Sequence, residues 1–238
     1  MAVMVMGEIT ALGDILERLR MADEGFRVFG AKRHQYRLGP PLSEGELAAF
    51  ESTNRVRLPE EYRQFLSTTG NGGAGPFYGL EPLGTSGGDL SRPFPFVTAA
   101  GTLSGSELED CDEYPGVLAF CHQGCGIHSC LVVSGPACGA IWDGRDGDFY
   151  PTGLTFAVWY RRWAERALLA LDNARLLVPR LRVGMSRADV LAEVGGDWQA
   201  RPALGRPVRY FEATGIPAQL ELDERDFVIK INPWPFIA

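Results

Sequence analysis

Five residues between positions 121 and 130 carry the densest metal-binding chemistry of the chain: Cys121, His122, Cys125, His128 and Cys130. Thiolate and imidazole donors hold zinc when they come in close pairs that a turn can fold around one ion. Here three residues separate Cys121 from Cys125 and four separate Cys125 from Cys130, so there is no C-x2-C knuckle. The interval is apolar and strand-like, a setting in which cysteine behaves as a small hydrophobe. We read these cysteines as structural and expect no metal. The five cysteines in all, an odd number with no secretion signal ahead of them, point to reduced thiols.

Carboxylates form the second chemical group. Glu107, Glu109, Asp110, Asp112 and Glu113 place five acids in seven residues, in a predicted loop. Such a loop on a rigid sheet can present charge to a basic partner, or it can be an ordinary solvated loop. Asp143, Asp146 and Asp148 have a spacing faintly like a calcium loop, but the ligand alternation and closing Glu are missing, so they read as a hairpin turn. They extend the same acidic face if the strands bring both loops to one edge.

Catalytic patterns are not found. The run Gly70-Asn71-Gly72-Gly73-Ala74-Gly75 has no Lys-Ser/Thr pair to follow it, and Gly101-Thr102-Leu103-Ser104-Gly105 has the wrong spacing for a nucleophile elbow. His34, His122 and His128 have no catalytic partners evident in sequence. The chain reads as a non-enzyme with no cofactor.

Charge is unevenly spread. The net charge is −7, yet residues 41–160 alone hold fifteen acidic and five basic groups. That excess disfavours direct nucleic-acid binding, which needs Lys and Arg on phosphates. It suits a basic protein partner, whose opposite field steers encounter, or it serves solubility alone. No run approaches bilayer-spanning length, and the expected compartment is the cytoplasm.

The elements that must position these groups follow from local pattern. The opening residues read as strand or coil, with an amphipathic helix over 13–22. Ser43 with Glu46 signals a capping box and a helix to about Asn54, with Leu47 and Phe50 inward. Pro59 suits a first helical turn, and Tyr62, Phe65, Leu66 and Thr69 then share one face. Gly70 is placed to close that helix in the left-handed conformation, while Asn71 caps it or steadies the glycine turn. Pro76, Phe77, Tyr78 and Leu80 are expected to re-enter the interior. A long loop over 84–115 precedes three strands, 117–122, 127–133 and 139–142, with Trp142 either in the core or an interface anchor. Phe156, Trp159, Tyr160, Trp163, Ala167 and Leu171 form the aromatic stripe of a helix over 154–172. Beyond it, Ser186 opens a helix over 187–194, followed by strands at 207–212, 218–222 and 227–231. This tail, 176–238, is either a small α+β module or an extension of the sheet in 1–175.

The ordered set Phe50-Glu51, Leu58-Pro59-Glu60-Glu61-Tyr62, Phe65-Leu66 and Gly70 to Pro76 resembles the SUKH superfamily. So do Pro115-Gly116-Val117, Gly124-Cys125-Gly126, the strand ending at Ser134-Gly135, Gly139 to Trp142, and Phe156…Trp159…Trp163. The likeness covers roughly 14–172. That group includes the yeast Smi/Knr cell-wall regulators and many bacterial immunity proteins. The resemblance implies an α+β domain with a mixed sheet flanked by helices, and a binding role without catalysis. It points to an immunity protein that neutralises a cognate toxin, such as a nuclease, through its acidic surface. The alternatives are a regulatory scaffold or adaptor of cell-wall control, and, third, an enzyme. The Gly184-Met185-Ser186 helix of the tail faintly resembles those that open small inhibitor and outer-membrane assembly modules.

Overall fold

In a computed structural model, which describes residues 2–85, 88–96, 103–104, 114–125, 127–145, 148–203, 208–213 and 216–233, the chain opens with helix α1 (Ala2–Ala22). The helix begins eleven residues earlier than the pattern suggested, where strand or coil was expected. Alanine and methionine are good helix formers, and Ile9, Leu12, Ile15, Leu16 and Leu19 bury one continuous face.

Two compact units follow: Met1–Met21 with Phe29–Ala164, and Ala22–Val28 with Glu165–Ala238. In the first, a helical turn α2 (Ala31–His34) leads to α3 (Glu44–Asn54) and α4 (Glu60–Thr68). The Ser43 capping box is present, with the Ser43 side chain accepting from Glu46 N–H and Glu46 accepting from Ser43 N–H. Arg63 of α4 donates to Glu44 and Glu51 of α3, and Glu51 also accepts from the Leu58 backbone at 2.9 Å, which fixes the angle between the two helices.

The sheet of this unit comprises β1 (Leu103–Ser104), β2 (Val117–Gly124), β3 (Ile127–Val132), β4 (Ala140–Arg145) and β5 (Asp148–Thr155), in the order β1-β5-β4-β3-β2. Every pair is antiparallel, where the resemblance led to a mixed sheet. Strand β5 is absent from the sequence reading because Pro151 and Gly153 resemble breakers. Among the described residues it pairs with β1 at Asp148 and Phe149, and Pro151 and Gly153 lie beyond that pairing, a place where proline is tolerated.

Both faces of β2 are buried over Val117 to Cys121, which explains that unbroken apolar run. One face meets the helices. Tyr62, Phe65, Phe120 and Phe156 stand edge to face at 4.9–6.0 Å, and Tyr160 donates its hydroxyl to the Ala74 carbonyl at 3.0 Å. Glu61 of α4 accepts from Ala157 N–H at 3.0 Å, satisfying a free donor in the first turn of α5 (Phe156–Leu176). The opposite face holds Val117, Ala119, Cys130, Val132 and Trp142 under Phe94 and Tyr114.

The second unit has its own sheet, β6 (Trp198–Pro202), β7 (Arg209–Ala213), β8 (Ile216–Leu222) and β9 (Val228–Pro233), antiparallel in that order. Helix α6 (Arg187–Val194) precedes it, opened by Ser186 in a second capping box with Asp189. Phe211, Leu220, Leu222, Val228 and Val190 close the core. The expected three strands are thus four, and they form a separate sheet from that of the first unit. Among the described residues the fold class is α+β.

Candidate functional site

The stretch that carries the resemblance is a piece of architecture. Leu58, Tyr62 and Phe65 are buried, and Pro59 sits at the N-cap of α4. Gly70 follows the helix but is not left-handed as expected. Its φ is ordinary, and a Cβ there would lie 2.6 Å from Leu38 Cβ and 2.7 Å from the Gly39 carbonyl. Gly73 has φ +98, and a Cβ would lie 2.3 Å from the Arg37 carbonyl. The glycines let main chain approach main chain. Gly73 and Leu80 exchange N–H···O bonds of 2.8 and 2.7 Å, Ala74 N–H reaches Arg37 O, and Glu81 N–H reaches Phe120 O. The loop thereby extends the sheet at the outer edge of β2 through the bridges Leu38–Gly73, Gly73–Leu80 and Leu80–Cys121. Asn71 closes it, its Oδ1 accepting from Leu83 N–H at 2.7 Å, twelve residues on. A Cβ on Gly72 would press on Pro82, and one on Gly135 would meet the Phe94 carbonyl at 2.5 Å. Trp142 is 1% exposed, inside the cluster around Phe94, and Pro76 is buried.

Of the acids, Glu107, Glu109, Asp110, Asp112, Glu113 and Asp146 lie outside the described residues. Asp143 is a strand residue of β4 rather than part of a turn. It is half-buried and accepts from Gln123 Nε2 at 3.1 Å, while the same nitrogen donates to Ser129 Oγ at 2.9 Å. Asp148 begins β5, opposite Arg145 on one side and Ser104 on the other. The acidic run 107–113 therefore starts three residues after a strand in register with Asp148.

Among the described residues the cysteines do not assemble a metal site. Cys121 is fully buried and donates to the Pro76 carbonyl at 3.3 Å; burial first, then the charges of Asp143 and Glu81, pushes its thiol well up, so it stays protonated. Cys125 and Cys138 are exposed and free, whereas Cys130 is disulfide-bonded to a partner outside the described residues, a departure from the expected reduced thiols. Among the described residues no three His, Cys, Asp or Glu side chains gather as metal ligands.

A surface the sequence reading assigned to the interior lies at the loop's end. Phe77 is 38% and Tyr78 37% exposed. Phe77 holds φ +51, uncommon for a bulky residue, because Tyr78 N–H is tied to His122 O and the Phe77 carbonyl lies against Gly30. Tyr78 packs edge-on to Phe29 at 5.1 Å and beside His122 at 5.5 Å, under the Arg33 guanidinium. The signal available in sequence was Gly79 directly after two aromatics, which marks a bend where they cannot all face one core.

These features coincide with a family pattern. A model of the SMI1/KNR4 family (SUKH-1) matches residues 41–162, more than half of the chain. The chain belongs to the SUKH-1 family. No curated protein and no solved structure matches it. The family supports a role of the immunity or regulatory kind, through protein contacts, and is generally non-catalytic. Among the described residues no helix is long and apolar enough to cross a membrane.

Proposed function

We propose that this SUKH-1 chain is a non-catalytic immunity protein of the cytoplasm that binds and neutralises a cognate toxin with a basic domain, a nuclease being the class that fits. What supports the reading is membership of the family together with the acidic excess of residues 41–160. Glu107, Glu109, Asp110, Asp112 and Glu113, with Asp143, Asp146 and Asp148, fall in this stretch of fifteen acidic and five basic groups. Complementary fields of this kind speed encounter and select partners. In this reading residues 1–175 form the SUKH-like domain and 176–238 an appended module.

The test is growth rescue. Toxin domains encoded beside the gene are expressed in a sensitive host, with and without the full chain. Rescue by the wild type, weakened by reversing Glu109, Asp110 and Glu113 to Lys, supports the proposal. Failure to rescue against every neighbouring toxin domain, or rescue that depends on no acidic residue, refutes it.

A further inference from the structure

His122 of β2 and His128 of β3 face each other as Cα partners next to the hairpin tip, with ring centres 4.9 Å apart and planes at 59°. We infer that this pair is a two-histidine site for a borderline divalent transition metal, Zn2+, Ni2+ or Cu2+. An imidazole nitrogen binds zinc at about 2.0–2.1 Å with its ring centre roughly 1.2 Å behind it, so two rings sharing one tetrahedral ion have centres about 5 Å apart. The observed separation meets that requirement with the strands already in place.

A second observation points the same way. The Nδ1 atom of His128 is buried with no hydrogen-bond partner. A neutral imidazole has one donor and one acceptor nitrogen, and leaving a buried one unsatisfied is costly. Both side chains are half-buried, which limits their motion, and Tyr78 braces the His122 ring. With no third His, Cys, Asp or Glu joining them among the described residues, a bound ion keeps water in its other positions. The site is independent of the acidic surface proposed above.

Tag-free full-length protein is titrated with NiCl2 and ZnCl2 by calorimetry at pH 7.5. The expected result is one ion per chain at micromolar affinity, weakened at least tenfold in both His122→Ala and His128→Ala and unchanged in Cys125→Ser. Binding should fall as pH is lowered towards 5.5, because protons compete for the imidazoles. Circular dichroism and melting in EDTA check that the variants fold. Cu2+ bound to the wild-type chain gives a readout that needs no variant: its electron paramagnetic resonance spectrum should show coupling to two imidazole nitrogens. Absence of saturable binding, binding that survives both histidine substitutions, loss in Cys125→Ser, or a copper spectrum without nitrogen coupling each overturns the inference.

Discussion

Three glycines of the first unit separate the two reasons a chain has for using glycine. Gly153 has φ +71 with nothing within 4 Å of a built Cβ, so alanine there meets only backbone strain. Gly70 has an ordinary φ but no room, with Leu38 Cβ at 2.6 Å and the Gly39 carbonyl at 2.7 Å. Gly73 has both burdens, φ +98 and the Arg37 carbonyl at 2.3 Å. Left-handed geometry costs an L-residue about 1–2 kcal/mol. Forcing an extra methyl into a filled site costs about 1–3 kcal/mol, and at Gly73 the neighbour is main chain, which cannot rotate away. Alanine returns about 0.4–1 kcal/mol by restricting the unfolded chain. The expected net losses are thus about 0.5–1 kcal/mol for Gly153→Ala, about 1–2 for Gly70→Ala and roughly 2–4 for Gly73→Ala.

Urea unfolding followed by tryptophan fluorescence measures this, since Trp142 and Trp159 are buried in the same unit as all three glycines. With a urea slope of about 2 kcal/mol/M, Gly73→Ala shifts the midpoint by roughly 1–2 M at constant slope. Equal losses at Gly73 and Gly153, or a neutral Gly70→Ala, would refute the view that close approach of main chain, rather than turning, explains the glycine run.

Further outcomes follow from named contacts. Reversing Glu109, Asp110 and Glu113 to Lys takes the net charge from −7 to −1; association with a basic partner should slow about tenfold or more at low salt and lose salt dependence, measured by stopped flow. Tyr160→Phe removes the bond to the Ala74 carbonyl and should cost about 1 kcal/mol in the unfolding of the first unit. Ser186→Ala removes the cap of α6 and should lower the stability of the second unit by about 0.5–2 kcal/mol, read by Trp198 fluorescence. The Ser186 hydroxyl and N–H hold the Asp189 carboxyl below its ordinary value of 3.8. A depressed acid stabilises above that value and loses its contribution as pH falls through the folded pKa, so the gap between wild type and Ser186→Ala should narrow below about pH 4 but not vanish, because the bond from Asp189 N–H to the Ser186 hydroxyl does not titrate.

What could be read from sequence was what local chemistry decides. The Ser43–Glu46 capping box and the Ser186 N-cap located their helices, α3 and α6, because a cap is a contact between residues three apart. Strand β6 was missed because only Trp198 of its five residues is buried, so it has no apolar alternation to see. Phe77 and Tyr78 were assigned inward on hydrophobicity, yet their exposure is set by a tie to His122 forty-four residues away. The facing of His122 and His128 depends on the β2–β3 register, and that register has irregularities on both sides of the pair. The acidic residues are visible as charge in the sequence, and of them the structure describes Asp143 and Asp148, the first within β4 and the second at the start of β5.

The family match begins at residue 41, but the core it describes does not. Ile9 and Leu12 of α1 are fully buried in the same cluster as Leu58, Phe65, Phe120 and Phe156. Burying a side chain of this size stabilises by about 1.5–3 kcal/mol, so the two together supply roughly 3–6 kcal/mol. A domain's whole stability is only about 5–15 kcal/mol. A chain lacking residues 1–22 should therefore have its first unit largely unfolded or aggregating, with exposed apolar surface that binds a hydrophobic dye. Ile9→Ala with Leu12→Ala should lose most of the same stability while leaving the chain full length, which separates lost packing from lost sequence. If the truncated chain unfolds at the wild-type urea midpoint, α1 is an ornament on a self-sufficient 41–162 domain. If the double variant falls with it, the core of the matched domain is completed by a helix that lies outside the matched residues 41–162.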